Sequence, residues 1–394
     1  MSAVDESEAA GTANDREGDA AANDWAADAT PVGAGVGAAP VRAFAADAAV
    51  PIPFLNRPEN VARYEDGEVV ILDRRAYPFE RSFVRCATVE DVARAIEAMV
   101  TQSHGPGPTA GYGMALAARA VRASAAQLQA EALATAAGRL IATRPTNGGI
   151  RLVVTAMLET GRRAIRDGVD AEAAILAAMD GWWARDLEAS RAIGRAGAPL
   201  IREGDTILTH CWGDAPIVHV LREARLAGRR FEAVCTETRP YLQGALLTAD
   251  AIAELGVPVT LVTDGMPAAL MSRGRIATFI AGADRVTMDG HWVNKVGTLG
   301  IAIAAARFGV PAYAAAYPPD PAAPDPSSVV IEERDPDDVL YCRGVRTATE
   351  RAVGFYPAFD ITPPDLVTGF VFERGVFAPG DVARYFEAPK SAAD

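Results

Sequence analysis

The stretch TILTHCWGDAPIVHVLREARLAGRRFEAVCTE, from Thr206 to Glu237, decides the fold class of this 394-residue chain. It begins with a short apolar run, continues through a helical segment and ends with a second short apolar run. Runs that are apolar on both faces are typical of parallel strands covered by helices. Similar runs follow in PVTLVTD, ATFIAGAD and PAYAAAY. We therefore predict an α/β fold in which residues 197–394 form a Rossmann-like, doubly wound parallel sheet.

The residues before this sheet have other periodicities. Residues 1–50 are rich in Ala, Gly and Asp without a periodic apolar face, so we predict a disordered acidic tail there. Residues 51–196 are predicted to form a smaller, mostly helical N-terminal domain with one small hairpin. The hairpin is indicated by Asp66-Gly67, a helix start by the capping-box spacing of Thr88 and Asp91. Further helical patterns cover about 124–142, 149–166 and 171–193.

Charge and composition exclude several classes of protein. The chain has 38 basic and 51 acidic residues, a net charge of −13, which argues against a nucleic-acid or anionic-membrane surface. The four cysteines form no CxxC pair and the four histidines show no HxxxH spacing, so we predict neither a disulfide framework nor a metal site. No signal peptide or membrane-spanning segment is indicated. We expect a cytoplasmic protein that uses no cofactor.

Polar residues follow the ends of the predicted parallel strands. Ligands collect at the carboxyl ends of the strands in such sheets, so side chains at these positions are expected to converge on one crevice. The residues at these positions are Cys211, Glu237, Arg239, Asp264 and Asp284.

The residues alone leave several roles open for Cys211. It is a candidate nucleophile, acid–base group or metal ligand, but free cysteine is among the most buried residue types and in isolation a small buried residue is favoured. The Ala-Pro pair that follows would open a helix, whose N-terminus favours a thiolate. Neighbouring residues on a strand point to opposite faces, so no couple with His210 is predicted. Asp284 alone is equally consistent with a helix cap or a partner for Arg285.

Lysine is rare in this chain and one of its positions is informative. Only Lys295 and Lys390 are lysines. A surface salt bridge would tolerate arginine equally well, so Lys295 is predicted to be packed near a ligand, where an ammonium and a guanidinium differ. Asp289-Gly290 predicts a hairpin turn whose second arm carries Asn294 and Lys295.

A series of ordered motifs resembles the methylthioribose-1-phosphate isomerase family. That family belongs to a broader group with the ribose-1,5-bisphosphate isomerases and the regulatory subunits of the translation factor eIF2B. The resemblance covers residues 61 to about 388. Its motifs are DGEVVILDRR, TVEDVARAIEAMV, GYGMALAA, ATRPTN, RAIGRAGAPLIREGDTILTHC, ETRPYLQGALLTA, PVTLVTDGM, AGADRV, VNKVGT, IEERDP and PAFDITPPDLVTGF.

The resemblance implies an aldose–ketose isomerisation of a sugar that carries phosphate on its anomeric carbon. It implies a homodimer that uses neither metal nor cofactor. Its catalytic residues fall on Cys211 and Asp284. Its substrate contacts fall on Arg144, Gln243, Asn294 and Lys295.

The implied chemistry explains why an acid and a thiol are needed. Phosphate on C1 leaves no free aldehyde, so the ring must open before hydrogen moves from C2 to C1. Asp284 is expected to protonate the ring oxygen, with its pKa raised by an apolar pocket. Cys211 is expected to handle the hydrogen at C2, through an enolate or by assisting a hydride shift.

Two segments depart from the family pattern. Gln102-Ser103-His104 stands where the family has the start of RGAPAIG, with Gln102 at the arginine position. We predict that these three residues still line the phosphate site through Ser103 and backbone N–H groups. HCNAG has become HCWGD, which brings Trp212 and Asp214 close to the cysteine. A carboxylate near a phosphate is unfavourable unless it is paired or points away.

Three functions follow as hypotheses. The leading one is an isomerase for a 5-substituted 5-deoxyribose 1-phosphate, with methylthioribose 1-phosphate as the favoured substrate. A ribose-1,5-bisphosphate isomerase is the second, although the acidic chain and Gln102 weigh against a second phosphate. A non-catalytic binding subunit is the third, and the retention of Cys211 and Asp284 argues against it.

Overall fold

The structure, a computed structural model, describes residues 50–144 and 147–387. The predicted disordered tail lies outside the described residues except for Val50. Within the described ranges, no helix is both long enough and apolar enough to cross a membrane.

A small antiparallel sheet and six helices make up the N-terminal part. The predicted hairpin is confirmed, because Asp66 and Gly67 join the first two strands with φ angles of 54° and 81°. The strands are β1 (Ala62–Glu65), β2 (Glu68–Leu72) and β3 (Phe83–Cys86). The helices are α1 (Pro58–Val61), α2 (Val89–Glu97), α3 (Pro106–Val121), α4 (Ala126–Ala142), α5 (Gly148–Arg166) and α6 (Ala171–Gly197).

The predicted helices are confirmed to within a few residues, and the short α1 and the longer α3 were missed. Thr88 caps α2 as predicted: its Oγ1 accepts from the Asp91 N–H at 3.1 Å while the Asp91 carboxylate accepts from the Thr88 N–H at 3.0 Å. Helix α3 was missed because it is buried on all sides from Pro106 to Ala118 and therefore has no polar face. Its two prolines lie in the first turn, where a missing N–H costs no hydrogen bond.

The C-terminal part contains twelve strands and five helices among the described residues. The strands are β4 (Thr206–Thr209), β5 (Glu232–Thr236), β6 (Val259–Val262), β7 (Thr278–Gly282), β8 (Arg285–Val286), β9 (Trp292–Lys295), β10 (Ala312–Ala315), β11 (Tyr341–Cys342), β12 (Val345–Arg346), β13 (Phe359–Thr362), β14 (Gly369–Phe372) and β15 (Gly375–Phe377). The helices are α7 (Asp214–Leu226), α8 (Ala249–Glu254), α9 (Pro267–Met271), α10 (Thr298–Phe308) and α11 (Asp337–Leu340).

Seven of these strands form one sheet in the order β15-β14-β10-β7-β4-β5-β6. All neighbours are parallel except the edge strand β15. Ile207 packs into a core with α6, α7 and α8, whereas its neighbour Leu208 packs into a second core with α9 and α10. Helices therefore cover both faces, and the predicted doubly wound α/β fold is confirmed.

Strand β9 delivers the Asn294-Lys295 pair from a smaller sheet. It lies between β8 and β13, and both pairings are antiparallel. The Asp289-Gly290 turn before it is confirmed, with a φ of 87° at Gly290. In β13, Phe359 and Asp360 lie directly opposite Lys295 and Asn294.

Helix α6 is shared by the two parts of the chain. Its 27 residues span about 40 Å at 1.5 Å per residue. It packs against α3 and α5 at one end and against α7 and β14 at the other. The domain boundary at residues 196/197 stays a prediction.

Candidate active site

Two glycines bring the ends of β4 and β7 into backbone contact. A Cβ atom added at Gly282 would lie 2.8 Å from the Cα of Gly213, closer than real Cβ contacts permit. Cys211 precedes one glycine by two residues, and Asp284 follows the other by two. This contact therefore holds the segments that carry Cys211 and Asp284 close together.

The backbone of Cys211 is held in a conformation that side chains rarely adopt. Its φ is 62°, in the left-handed region, and such strain persists only where the surroundings enforce it. Its N–H donates to Oγ1 of Thr238 at 3.0 Å, and its carbonyl oxygen accepts from the hydroxyl of Thr248. Both threonines are buried. The Cys211 peptide is thus clamped on both sides by side-chain hydroxyls.

Asp264 supports this clamp instead of facing a ligand. Its two carboxylate oxygens accept from the N–H groups of Thr238 and Arg239 at 2.7 and 2.8 Å. The Arg239 guanidinium donates to the carbonyl oxygens of Val339 and Tyr341. Asp264 and Arg239 were both expected to converge on one crevice, and the side chains of both are hydrogen-bonded to backbone groups of the protein.

The thiol of Cys211 is buried and close to ionisable groups. Burial raises the pKa of Cys211 to about 11, opposed by the charge of Lys295 and supported by that of Asp284. The thiol is therefore protonated at neutral pH in this structure. Because both charges act on it, Cys211, Asp284 and Lys295 belong to one electrostatic cluster.

Charged groups act on Asp284, where an apolar pocket was expected from sequence. Its side chain is open to solvent, yet the surrounding protein removes enough water for burial to raise its pKa. The positive charges of Lys295, Arg334 and Arg144 oppose this rise. Among the described residues, its carboxylate has no hydrogen bond or salt bridge. Asp284 is therefore a carboxylate of the cluster that has no protein partner among the described residues.

Lys295 is packed between aromatic rings, as the scarcity of lysine suggested. It is only 4% exposed, and its Nζ lies 4.8 Å from the ring centre of Phe359 and 5.8 Å from that of Tyr356. Burial lowers its pKa, while the charges of Cys211 and Asp284 act in the opposite direction. Contact with a ligand stays a prediction.

Sequence reasoning missed a cation and three rings at this site. Arg334 pairs with Glu332 at 2.9 Å, and its guanidinium carbon lies 5.4 to 6.0 Å from the ring centres of Tyr241, Tyr356 and Phe359. The Tyr356 hydroxyl is buried without a hydrogen-bond partner among the described residues. Arg334 and Phe359 lie within the IEERDP and PAFDITP motifs, but no local spacing reveals that these distant segments meet.

Three predicted substrate contacts lie in or beside this cluster. Arg144 follows α4 and its charge acts on Asp284, while its side chain contacts the sulfur of Met99. Gln243 is buried just before a single π-helical turn, Gly244–Thr248. Asn294 donates to the hydroxyl of Thr298 at 3.0 Å, which leaves its Oδ1 free of any partner among residues 50–144 and 147–387. Their binding roles stay predictions.

Asp214 is paired, which resolves the concern about a carboxylate near phosphate. It accepts from the Asn56 amide at 3.0 Å and from the His104 N–H at 3.4 Å, and lies 3.6 Å from the guanidinium of Arg74. Arg74 also donates to the carbonyl oxygen of Gln102 at 2.7 Å. This buried ion pair therefore fastens the 102–104 loop to the N-terminus of α7.

The side chains of the 102–104 loop differ in their availability. The His104 ring lies between the rings of Trp182 and Tyr317, 5.2 and 5.0 Å away, with Nε2 at 2.9 Å from a carboxylate oxygen of Asp186. The loop leaves Ser103 exposed, whereas Gln102 is buried and its Oε1 has no partner among the described residues. The ring and the N–H of His104 thus both face protein carboxylates, those of Asp186 and Asp214, and its ligand contact stays a prediction.

Comparison with known proteins identifies the family of this site. A model of the initiation factor 2 subunit family matches residues 106–379. The methylthioribose-1-phosphate isomerase of Roseiflexus castenholzii is 40% identical over 331 residues, covering 80% of this chain and 94% of that protein. The chain belongs to the methylthioribose-1-phosphate isomerase family. The prediction that it is an enzyme of the isomerase class is thereby confirmed.

Solved structures agree with membership of this isomerase family. The 5-methylthioribose 1-phosphate isomerase of Pyrococcus horikoshii OT3 superposes with a TM-score of 0.75 at 30% identity, covering 82% of this chain and 94% of that one. The translation initiation factor eIF-2B subunit delta from A. fulgidus superposes with a TM-score of 0.71 at 29% identity, covering 82% and 96%. The fold is therefore shared by isomerases and by a translation factor subunit.

Replacing Gly282 with alanine tests the glycine contact. The added Cβ would force the backbones of Gly213 and Gly282 apart, so we expect Gly282→Ala to lower the free energy of unfolding by ~1–3 kcal/mol. The control is Gly138→Ala, because Gly138 lies in α4 with no atom within 4 Å of its added Cβ. That change should raise stability by about 0.5–1 kcal/mol. Denaturant unfolding of both variants is the measurement, and equal stability for Gly282→Ala and the parent would contradict the contact.

Asp360 predicts a pH dependence of stability. It accepts from the N–H groups of Gly297 and Leu299 and so fixes the start of α10 just after Lys295. Burial raises its pKa from 3.8 to about 6, against the opposing effect of these two hydrogen bonds. Its contribution to stability is therefore complete below pH 3.8 and is lost as the pH rises through about 6.

We expect the free energy of unfolding to fall between pH 4 and pH 7 by on the order of 2 kcal/mol more in the parent than in Asp360→Asn. Urea unfolding at several pH values measures both slopes. Parallel slopes would show that Asp360 does not titrate in this range.

Proposed function

We propose that the chain converts a 5-substituted 5-deoxyribose 1-phosphate, S-methyl-5-thioribose 1-phosphate in the first place, to the corresponding ribulose 1-phosphate. The observation that carries this proposal is the close approach of the segments with Cys211 and Asp284 at the Gly213–Gly282 contact, with the charge of Asp284 acting on the thiol. The names of the relatives support the choice of substrate. Methionine salvage follows from that substrate.

The charges of the cluster suit a phosphorylated sugar. Arg144, Lys295 and Arg334 act on Asp284, and the negative charges of Glu332 and of Asp284 itself offset them in part. The guanidinium of Arg334 is paired with Glu332, so Arg144 and Lys295 are the cations best placed to attract phosphate. The 102–104 loop offers Ser103 and backbone donors as further contacts.

Asp284 is the acid in the proposed reaction. A carboxyl group with a raised pKa carries a proton at a pH where an ordinary aspartate does not. Its proton passes to the ring oxygen while the bond from C1 to that oxygen breaks. The Asp284 carboxylate then takes the hydroxyl proton from C2 as the C2 ketone forms, which restores the acid and balances the protons over the turnover.

The hydrogen on C2 must reach C1, and Cys211 is the group proposed to assist this transfer. A thiol with a pKa of about 11 is almost entirely protonated at neutral pH, so little thiolate is present to remove a proton. This favours direct transfer of hydrogen with its electron pair from C2 to C1, beside the thiol, over removal of a proton by a thiolate. Turnover in deuterium oxide separates the routes, since only an enolate route places deuterium on C1.

Replacing the two groups tests the function. We expect Cys211→Ser and Asp284→Asn each to lower kcat/KM for methylthioribose 1-phosphate by about 100-fold or more. Proton and phosphorus NMR of the sugar phosphates follow the ketose 1-phosphate as it forms. Cys342→Ser is the matched control, because Cys342 lies in β11 outside the cluster, and it should leave turnover unchanged.

The same assay separates the alternatives. Ribose 1,5-bisphosphate as sole substrate would indicate the second enzyme, and no ketose from either sugar phosphate would exclude both. Binding without turnover, indifferent to Cys211→Ser, would indicate a subunit of the kind that the similar translation factor structure represents. We also propose a cytoplasmic homodimer, supported by the family resemblance alone.

A further inference from the structure

We propose that His210 is a positioning residue that fixes Cys211 relative to Lys295 through a directed chain of hydrogen bonds. The proposal rests on the proposed function, because it assumes that both residues serve one site. His210 directly precedes Cys211 and takes no direct part in the chemistry proposed for Cys211 and Asp284.

The chain runs through two threonines. The Cys211 N–H donates to Oγ1 of Thr238 at 3.0 Å. The hydroxyls of Thr238 and Thr236 lie 3.5 Å apart, a long contact, and Thr236 Oγ1 is 2.6 Å from Nδ1 of His210. On its other side, Nε2 of His210 lies 3.1 Å from the carbonyl oxygen of Val296. Val296 directly follows Lys295.

The two ends of the chain fix the direction of every hydrogen bond. A backbone carbonyl can only accept, so Nε2 of His210 carries a proton and donates to Val296. Burial lowers the pKa of His210, so the ring is neutral and Nδ1 is an acceptor. Thr236 must therefore donate to Nδ1. At the other end the Cys211 N–H can only donate, which makes Thr238 an acceptor there and leaves its own proton for Thr236.

Packing reinforces the link at the Lys295 end. His210, Thr236 and Thr238 are buried, so no water competes for their hydrogen bonds. Gly297 has a φ of 109°, and a Cβ added there would lie 3.1 Å from two atoms of the His210 ring. The ring thus fills the turn that follows Lys295, and a shift of that turn would move the ring and the Cys211 loop together.

Both ring nitrogens are occupied by these partners, so His210 cannot take a proton from the thiol without breaking the chain. Its effect on chemistry must pass through geometry. A displacement of about 1 Å between reacting groups is enough to cost about 100-fold in rate.

The test compares His210→Phe with His219→Phe. Phenylalanine fills the ring volume but removes both hydrogen bonds. His219 is an equally buried histidine in α7, and its Nδ1 has no partner among the described residues, so its replacement is a matched control. The first readout is the pH dependence of Cys211 alkylation by iodoacetamide, resolved by peptide mass spectrometry. The second is kcat and KM for methylthioribose 1-phosphate.

We expect His210→Phe to move the alkylation midpoint of Cys211 upward, because Lys295 lowers the pKa of the thiol and would be displaced. We also expect kcat to fall by about 100-fold with a much smaller change in KM. His219→Phe should match the parent in both readouts. An alkylation midpoint that is unchanged or lower in His210→Phe overturns the proposal.

A second pair of variants decides the matter if His210→Phe does not fold. Thr236→Val breaks the chain with the ring in place, and Thr236→Ser keeps the hydroxyl. The valine variant should show the upward midpoint and the serine variant should restore it; equal midpoints overturn the proposal. The alkylation readout needs no turnover, so a parent without isomerase activity would refute the proposed function while the midpoints still decide the role of His210.

Discussion

The site depends on the close approach of two backbones. Gly213 and Gly282 lie where the chain leaves neighbouring parallel strands, and neither position has room for a side chain. The contact fixes the separation of the two loops, and each loop then places its reactive group two residues away. Parallel strands alone bring loops to the same edge of a sheet. The glycines determine how closely those loops can meet.

Around this contact, burial and charge act in opposite directions. Burial favours the neutral forms of Cys211, Asp284 and Lys295, whereas the attraction of Lys295 for each of the two acids favours the charged forms. Burial has the larger effect on the pKa of each of the three, so the pKa values of the thiol and the carboxyl group are both raised. A carboxyl group with a raised pKa suits the proton donation proposed for Asp284, and the neighbouring cations oppose this rise in pKa only in part.

Local signals in the sequence were sufficient to predict most of the helices and strands, but not the whole candidate site. Alternating short apolar runs gave the parallel sheet, and cap and turn residues gave α2 and both hairpins. Helix α3 was missed because a helix buried on every side has no stripe to detect. The position of Lys295 was inferred from a composition that otherwise prefers arginine.

The remaining features arise from contacts between distant segments. The rings around Arg334 come from two distant segments, one with Tyr241 and the other with Tyr356 and Phe359. The partner of Asp214 is Arg74, which lies 140 positions earlier in the chain. No spacing rule connects such residues. The expectation of an apolar pocket around Asp284 failed for the same reason, because the cations that surround it come from separate segments.

The length of α6 has a mechanical consequence. Helix α6 is uninterrupted, and it packs against the N-terminal helices at its beginning and against the sheet at its end. Between these ends, Trp182 and Asp186 contact the His104 ring. A hinge movement that separates the N-terminal helices from the sheet would require α6 to bend or break. We therefore expect the proposed sugar substrate to enter through small local rearrangements near the 102–104 loop, where Ser103 is exposed, and not through a hinge movement of the two parts of the chain.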